Sequence, residues 1–124
     1  MKYLILLYNR PEIWDQLSHD QKLEHGRAHL VITADLAATG ELVASEALTD
    51  PAQTTFVEVR DGRTFTSDGP FAEVKEHLAG FYLIDCESAE RAAGYAARMP
   101  EAAQGGVEVR PILDLRSVGV GVDL

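Results

Sequence analysis

Cysteine is nearly missing from this sequence. Cys86 stands alone among 124 residues, so an intrachain disulfide is excluded, and in an apolar strand its thiol is expected to be buried and unreactive. Positive charge is also scarce, with 11 Lys and Arg against 20 Asp and Glu and a formal charge of -9. A phosphate backbone would meet net repulsion, and no Lys/Arg cluster offers a local exception, so no nucleic-acid partner is expected. Long hydrophobic runs are lacking as well. The longest near the N-terminus, residues 3–8, is far too short to cross a bilayer and has no signal-peptide cleavage site, which predicts a cytoplasmic protein without a membrane partner. What remains is ordinary for a globular chain. Hydrophobic residues make up 46% and charged residues 25%, and the length suits one domain over residues 1–124 with a core of its own.

Residues 2–8 are strand formers, apolar at odd positions (Tyr3, Ile5, Leu7) and at even ones (Leu4, Leu6, Tyr8). Both faces of that strand therefore need cover. Asn9-Arg10-Pro11 breaks it, and Ser18-His19-Asp20-Gln21 has the form of a capping box opening a helix to about Thr39. Leu23, Leu30, Ala34 and Ala37 are spaced as its buried stripe, and Gly40 suits a left-handed cap. Residues 41–48 predict a second strand. Residues 54–60 and 63–67 flank Asp61-Gly62, a strong signal for a tight hairpin turn. A further strand spans residues 78–86, Ser88 caps an Ala-rich helix ending near Met99-Pro100, and residues 107–115 close the chain as a strand. The order is an α+β, ferredoxin-like βαββαβ pattern with an inserted β-hairpin. Helices on one face of such a sheet leave the other bare, which predicts a homodimer through the sheet face, with a pocket for a small-molecule ligand beside it.

His25 and His29 share one helix face at i, i+4 spacing, which can hold a metal. A third ligand is required, and neither a His-Glu-x-x-His motif nor clustered Cys accompanies them, so no metal and no cofactor is expected. His29 alternatively suits a general acid or base, needing a carboxylate to orient its ring. Asp68 is the carboxylate held most firmly, between the end of a strand and Gly69-Pro70, although an aspartate there also commonly caps its own turn. Glu46 interrupts a small, apolar strand. Phe71 anchors the turn or walls a pocket, Glu73 is the member of a charged stretch best placed to turn inward, and Arg110 could neutralise an anionic substrate. Trp14 reads as a plug at the first helix's N-terminus rather than a binding platform.

Asp68-Gly69-Pro70-Phe71-Ala72-Glu73, followed by Lys75-Glu76 and Gly80-Phe81-Tyr82-Leu83-Ile84, resembles the signature of the DGPF-domain proteins within the YCII-related family. Residues 2–8, the Gly-x-Leu-Val-x-x-Glu-Ala-Leu run at residues 40–48 and Val107-Glu108-Val109-Arg110-Pro111-Ile112 extend the similarity over nearly the whole chain. The resemblance implies a dimeric α/β-barrel fold built from ferredoxin-like protomers. It implies less about function. Enzymatic activity is suspected in YCII proteins because a His and an Asp meet in a cleft, and one relative removes chloride from a hydroxylated aromatic. Arg27-Ala28-His29-Leu30 is similar to the segment carrying that histidine. The aspartate has no counterpart, since the family's Asp-Pro after the second helix is Met99-Pro100 here. DGPF members also tend to be encoded beside extracytoplasmic-function sigma factors, which implies a regulatory partner.

Two functions stay open at this point. One is a cofactor-free enzyme in which His29, oriented by Asp68, moves a proton on a small aromatic or enol-like substrate, with Glu46, Phe71, Glu73 and Arg110 binding it. The other is a non-catalytic small-molecule-binding or regulatory module, with a sigma factor as its partner.

Overall fold

A computed structural model describes residues 1–69 and 75–121. Four strands form the main sheet: β1 (Lys2–Asn9), β2 (Leu42–Ala47), β5 (His77–Asp85) and β6 (Val107–Pro111), in the order β2-β5-β1-β6 with every neighbouring pair antiparallel. A separate two-stranded hairpin, β3 (Thr55–Arg60) with β4 (Arg63–Asp68), is inserted between β2 and β5. Asp61 and Gly62 turn it with φ of 51° and 74°, as a two-residue turn of the primed type demands. The last strand is shorter than its apolar pattern suggests. It stops at Pro111, beyond which a single backbone bond, from the Ile112 amide to the Lys2 carbonyl at 2.9 Å, continues the pairing with β1.

The helices are α1 (Pro11–Trp14), α2 (His19–Ala38) and α3 (Ala89–Ala97). Ser18 and Gln21 make the capping box of α2 in both directions, at 3.1 and 2.8 Å. Gly40 follows with φ of 76°, and Ser88 caps α3 by accepting from the Arg91 amide. Glu41, just before β2, accepts two hydrogen bonds from the Arg91 guanidinium at 2.6 and 2.7 Å and one from the Tyr95 hydroxyl at 2.9 Å. This ties α3 to the sheet.

The core lies on one sheet face. Tyr3, Ile5 and Leu7 of β1 and Tyr82 and Ile84 of β5 are buried against Ile32 and Leu36 of α2, Ala92, Tyr95 and Ala96 of α3, and Met99. On the opposite face Leu4, Leu6, Tyr8, Phe81 and Leu83 are only partly buried. One expectation is corrected here. The Leu23, Leu30, Ala34 and Ala37 stripe of α2 is exposed, Leu30 at 70%, and the inward face is His25, His29, Ile32 and Leu36. Hydrophobicity alone picked the wrong face because the true one carries two imidazoles, whose partners the helix sequence does not show.

Candidate functional site

His25 and His29 lie on successive turns of α2, so their rings stand side by side, with centroids 5.1 Å apart. Both present Nε2 to one carboxylate, that of Glu101. His25 Nε2 is 3.1 Å from Oε2, and His29 Nε2 is 2.8 Å from Oε1 and 3.0 Å from Oε2. Glu101 sits in a short 3-10 turn, Pro100–Ala103, just after α3, and is 3% exposed. A proline at the head of that turn fixes its first φ and gives up an amide that would be unpaired anyway, so the carboxylate is held on rigid backbone. A carboxylate only accepts, so each imidazole points an Nε2–H toward it.

His29 Nδ1 is 2.9 Å from the Tyr82 hydroxyl, which comes from the core-facing side of β5. Thr33 Oγ lies 3.2 Å from the same hydroxyl and donates to the His29 carbonyl oxygen at 2.8 Å. Carboxylate, imidazole and phenol thus form one chain. On the far side of His25, the Trp14 ring makes an edge contact at 5.1 Å, while His29 and Tyr82 are stacked at 5.9 Å. His25 Nδ1 is buried and meets no partner among the described residues.

Burial by itself would raise the Glu101 carboxyl's pKa, but the hydrogen bonds from His25 and His29 outweigh it and hold the value at about 2. Glu101 is therefore an anion at every physiological pH. Burial pushes the Tyr82 phenol the other way, above its ordinary value, with the charge of Glu101 adding to the rise and the Thr33 hydroxyl opposing it. Tyr82 stays a neutral donor.

This constellation borders a cavity of about 810 Å³ between α1, α2 and the edge of the main sheet, within the usual range for a small organic ligand. Trp14, His25, His29, Thr33, Tyr82 and Glu101 all line it. Trp14, read from sequence as a plug, is thus part of the cavity wall.

The sequence-predicted residues fall in different places. His29 is at the centre of the cluster. Glu46 of β2 also borders the cavity, opposite Phe81 in the sheet. Asp68, expected to orient His29, does not contact it. It is exposed at the end of the hairpin, opposite Thr55, and both His29 nitrogens are engaged by Glu101 and Tyr82. The carboxylate that seemed missing at Met99-Pro100 is present two residues on, at Glu101. Arg110 is exposed on β6, opposite Leu4, and does not line the cavity. Phe71 and Glu73 lie outside the described residues. Sequence reasoning missed Glu101 and Tyr82. An acidic residue just after a proline reads as ordinary first-turn helix chemistry, and a tyrosine among strand apolars reads as core. The one available signal was an acidic residue, Glu101, two positions beyond Met99, where the family resemblance implies an aspartate.

The topology is α+β and ferredoxin-like, with an inserted hairpin, and it gathers His25, His29, Tyr82 and Glu101 under the helices at one cavity. The chain belongs to the YCII-related domain family, whose match covers residues 1–116. It is 32% identical over 114 residues to an uncharacterized protein of Rhizobium meliloti (strain 1021), covering 90% of this chain and 92% of that one. Its fold is similar to that of 5-chloro-2-hydroxyhydroquinone dehydrochlorinase from Burkholderia phenoliruptrix AC1100, solved in complex with 2,5-dihydroxybenzoquinone. The TM-score is 0.53 at 14% identity, over 91% of this chain and 94% of that one. No helix among the described residues is long and apolar enough to cross a membrane.

Proposed function

We propose that this protein is a cofactor-independent acid–base enzyme acting on a small aromatic or enol-like substrate in the cavity, with His29 as the proton carrier. The observation that supports this is the position of His29, between the anionic Glu101 on Nε2 and the neutral Tyr82 hydroxyl on Nδ1, at the cavity wall. With Nε2–H given to Glu101, Nδ1 carries the free electron pair and accepts from Tyr82. A substrate C–H or O–H entering beside it loses its proton to Nδ1. The bonding electrons stay on the substrate as an enolate or phenolate, and Tyr82, released from Nδ1, donates to the developing oxyanion. Glu101 holds the resulting imidazolium until the proton returns. A pocket that only held a ligand would need convergent polar groups, but not an anion, an imidazole and a raised-pKa phenol in series.

The flanking rings suit a flat substrate. Trp14, His25, His29 and Tyr82 form a row of aromatic faces and edges along one wall, and the similar fold of a protein solved with a dihydroxybenzoquinone favours the same substrate class. Glu46, at the cavity's sheet side, is assigned to substrate binding. The partly buried outer sheet face, with Leu4, Leu6, Phe81 and Leu83, is assigned to pairing with a second copy.

The test is deuterium incorporation from D2O, followed by proton NMR, into a panel of hydroxylated aromatics and enolisable keto acids. The wild-type protein is expected to exchange at least one of them, and His29→Gln to lose about 10²–10⁴-fold in rate, the usual contribution of a positioned acid or base. Equal exchange by wild type and His29→Gln, or none across the panel, would overturn the reading.

A further inference from the structure

The sequence offered two histidines at metal-ligand spacing without a third ligand beside them. The fold supplies one. One ligand atom from each of His25, His29 and Glu101 lies within 4.8 Å of the other two. We infer that these three side chains form a binding site for a borderline divalent transition metal of the Zn²⁺ type, and that its occupancy switches off the proton acceptor at His29.

The donor set is two imidazoles and one carboxylate, which suits zinc-like ions rather than the all-oxygen preference of Mg²⁺ or Ca²⁺. The spacing is close to what such an ion needs. Bonds of about 2.0–2.1 Å at a tetrahedral centre set ligand atoms about 3.3 Å apart, and the imidazole–carboxylate distances are 2.8 to 3.1 Å. Widening by a few tenths of an ångström is within side-chain reach. The ligands are already arranged by successive turns of α2 and by the turn that opens with Pro100. An outer partner is present too, because the Tyr82 hydroxyl on His29 Nδ1 fixes that ring, as a hydrogen-bonded group beyond a metal-bound histidine commonly does.

Charge points the same way. Glu101 is a buried carboxylate, and among the described residues its ion-pair partners are the two histidines. A divalent cation held directly by the carboxylate would neutralise it more completely than hydrogen bonds from two imidazoles. The three protein ligands would leave the fourth position facing the cavity, where a water or a substrate oxygen fits.

The switching consequence follows from the two ring nitrogens and rests on the proton-transfer reading above. A metal on His29 Nε2 confines the ring proton to Nδ1, where it donates to Tyr82, so the free electron pair that accepts the substrate proton is gone. Metal binding itself does not depend on that reading.

The test is calorimetric titration of ZnCl2 into chelator-treated protein at neutral pH, with MgCl2 as a control and CoCl2 as a spectroscopic probe. One Zn²⁺ per chain is expected, with a visible cobalt spectrum characteristic of low coordination number and no magnesium binding. His25→Gln and Glu101→Gln, checked for folding by circular dichroism, should each weaken binding by more than the about 10–100-fold that loss of an outer partner costs. Absence of stoichiometric zinc binding, or affinity unchanged in both variants, would overturn the site. Zinc bound stoichiometrically without slowing deuterium exchange would overturn the switch and leave the site. Exchange that never occurs in metal-free protein counts against the enzyme reading alone.

Discussion

The hairpin β3–β4 and the helix-covered face of the main sheet differ in nearly every physical respect. The hairpin carries the most conspicuous sequence motif, Asp-Gly-Pro-Phe, at its exit, yet its described residues are almost all exposed, Val59 at 65%, with Arg60 lying over the Phe65 ring at 4.5 Å. The covered face has no conspicuous motif, yet it buries the whole core and gathers two histidines, a glutamate and a tyrosine. Memorable turn chemistry marks where the chain must bend. Chemistry at a cavity needs groups brought from distant parts of the sequence and shielded from water, here residues 25, 29, 82 and 101, and no local pattern announces that.

The contrast is tested most strongly by truncation. Ile84 is fully buried between sheet and helices, and Ile84→Ala should cost about 2–5 kcal/mol by loss of transfer energy and by the cavity left behind. Val59→Ala in the hairpin should change stability by no more than about 0.5 kcal/mol. Urea denaturation of both variants gives the comparison directly. A large loss for Val59→Ala would mean that another surface, such as a second copy, covers the hairpin in solution.

Glu101 sharpens the difference with a pH signature. Its pKa is depressed from 4.5 to about 2, so its contribution to stability is fully present above pH 4.5 and is lost as pH falls toward 2. Glu101→Gln should cost about 1–3 kcal/mol near neutrality, where it weakens a buried hydrogen-bonded network, and the deficit should shrink toward zero at pH 2. Glu41, held at about 2 chiefly by its hydrogen bonds from Arg91, loses its contribution over the same range in both proteins. The difference between the two stability–pH curves therefore isolates Glu101. A deficit that stays constant down to pH 2 would separate the carboxylate's charge from its role.

Glycines distinguish the regions by a different mechanism. At Gly80 in β5, a Cβ would sit 2.8 Å from the Glu46 carbonyl oxygen and 3.3 Å from Ala47 Cα. Both are backbone atoms of the neighbouring strand, so Gly80→Ala should cost about 1–3 kcal/mol through displaced strands. At Gly62 in the hairpin turn there is open space, but φ is 74°, and Gly62→Ala should cost only about 1 kcal/mol of left-handed backbone strain. Thermal unfolding checks both. Equal costs would mean that the sheet yields around Gly80.

Most of the fold was legible because it is governed locally. The Ser18 capping box, the Ser88 cap, the left-handed Gly40 and the Asp61-Gly62 turn each satisfy their own backbone groups, and the continuous apolar run in residues 3–8, with no polar alternation, tells which strand lies centrally. Helix α1 was not legible, since four residues that begin with a proline cannot show a period. The buried face of α2 was misread because a helix apolar on one side and histidine-bearing on the other gives periodicity no means to rank them. His29 was legible as a candidate from its residue type and family context. Its carboxylate was not, because the pairing depends on how α3 and the turn after it lie across α2, a matter of tertiary packing.

Asp68 is where the contrast can be broken with the smallest expected effect. It ends β4 exposed, and the neighbouring Gly69 amide donates to the Thr54 carbonyl at 2.6 Å, closing the base of the hairpin through the backbone rather than through the Asp68 side chain. Asp68→Asn keeps size and hydrogen-bonding capacity while removing charge. It should alter stability by less than about 0.5 kcal/mol and deuterium exchange by no more than about twofold, since 0.5 kcal/mol corresponds to roughly that factor in rate. His29→Gln assayed beside it should lose orders of magnitude. A loss in Asp68→Asn as deep as that of His29→Gln would bring the hairpin's end into a reacting site. If mixing the two inactive variants then restored activity, Asp68 would act beside the histidine of a second copy, and the exposed arm and the buried cluster would be two halves of one centre.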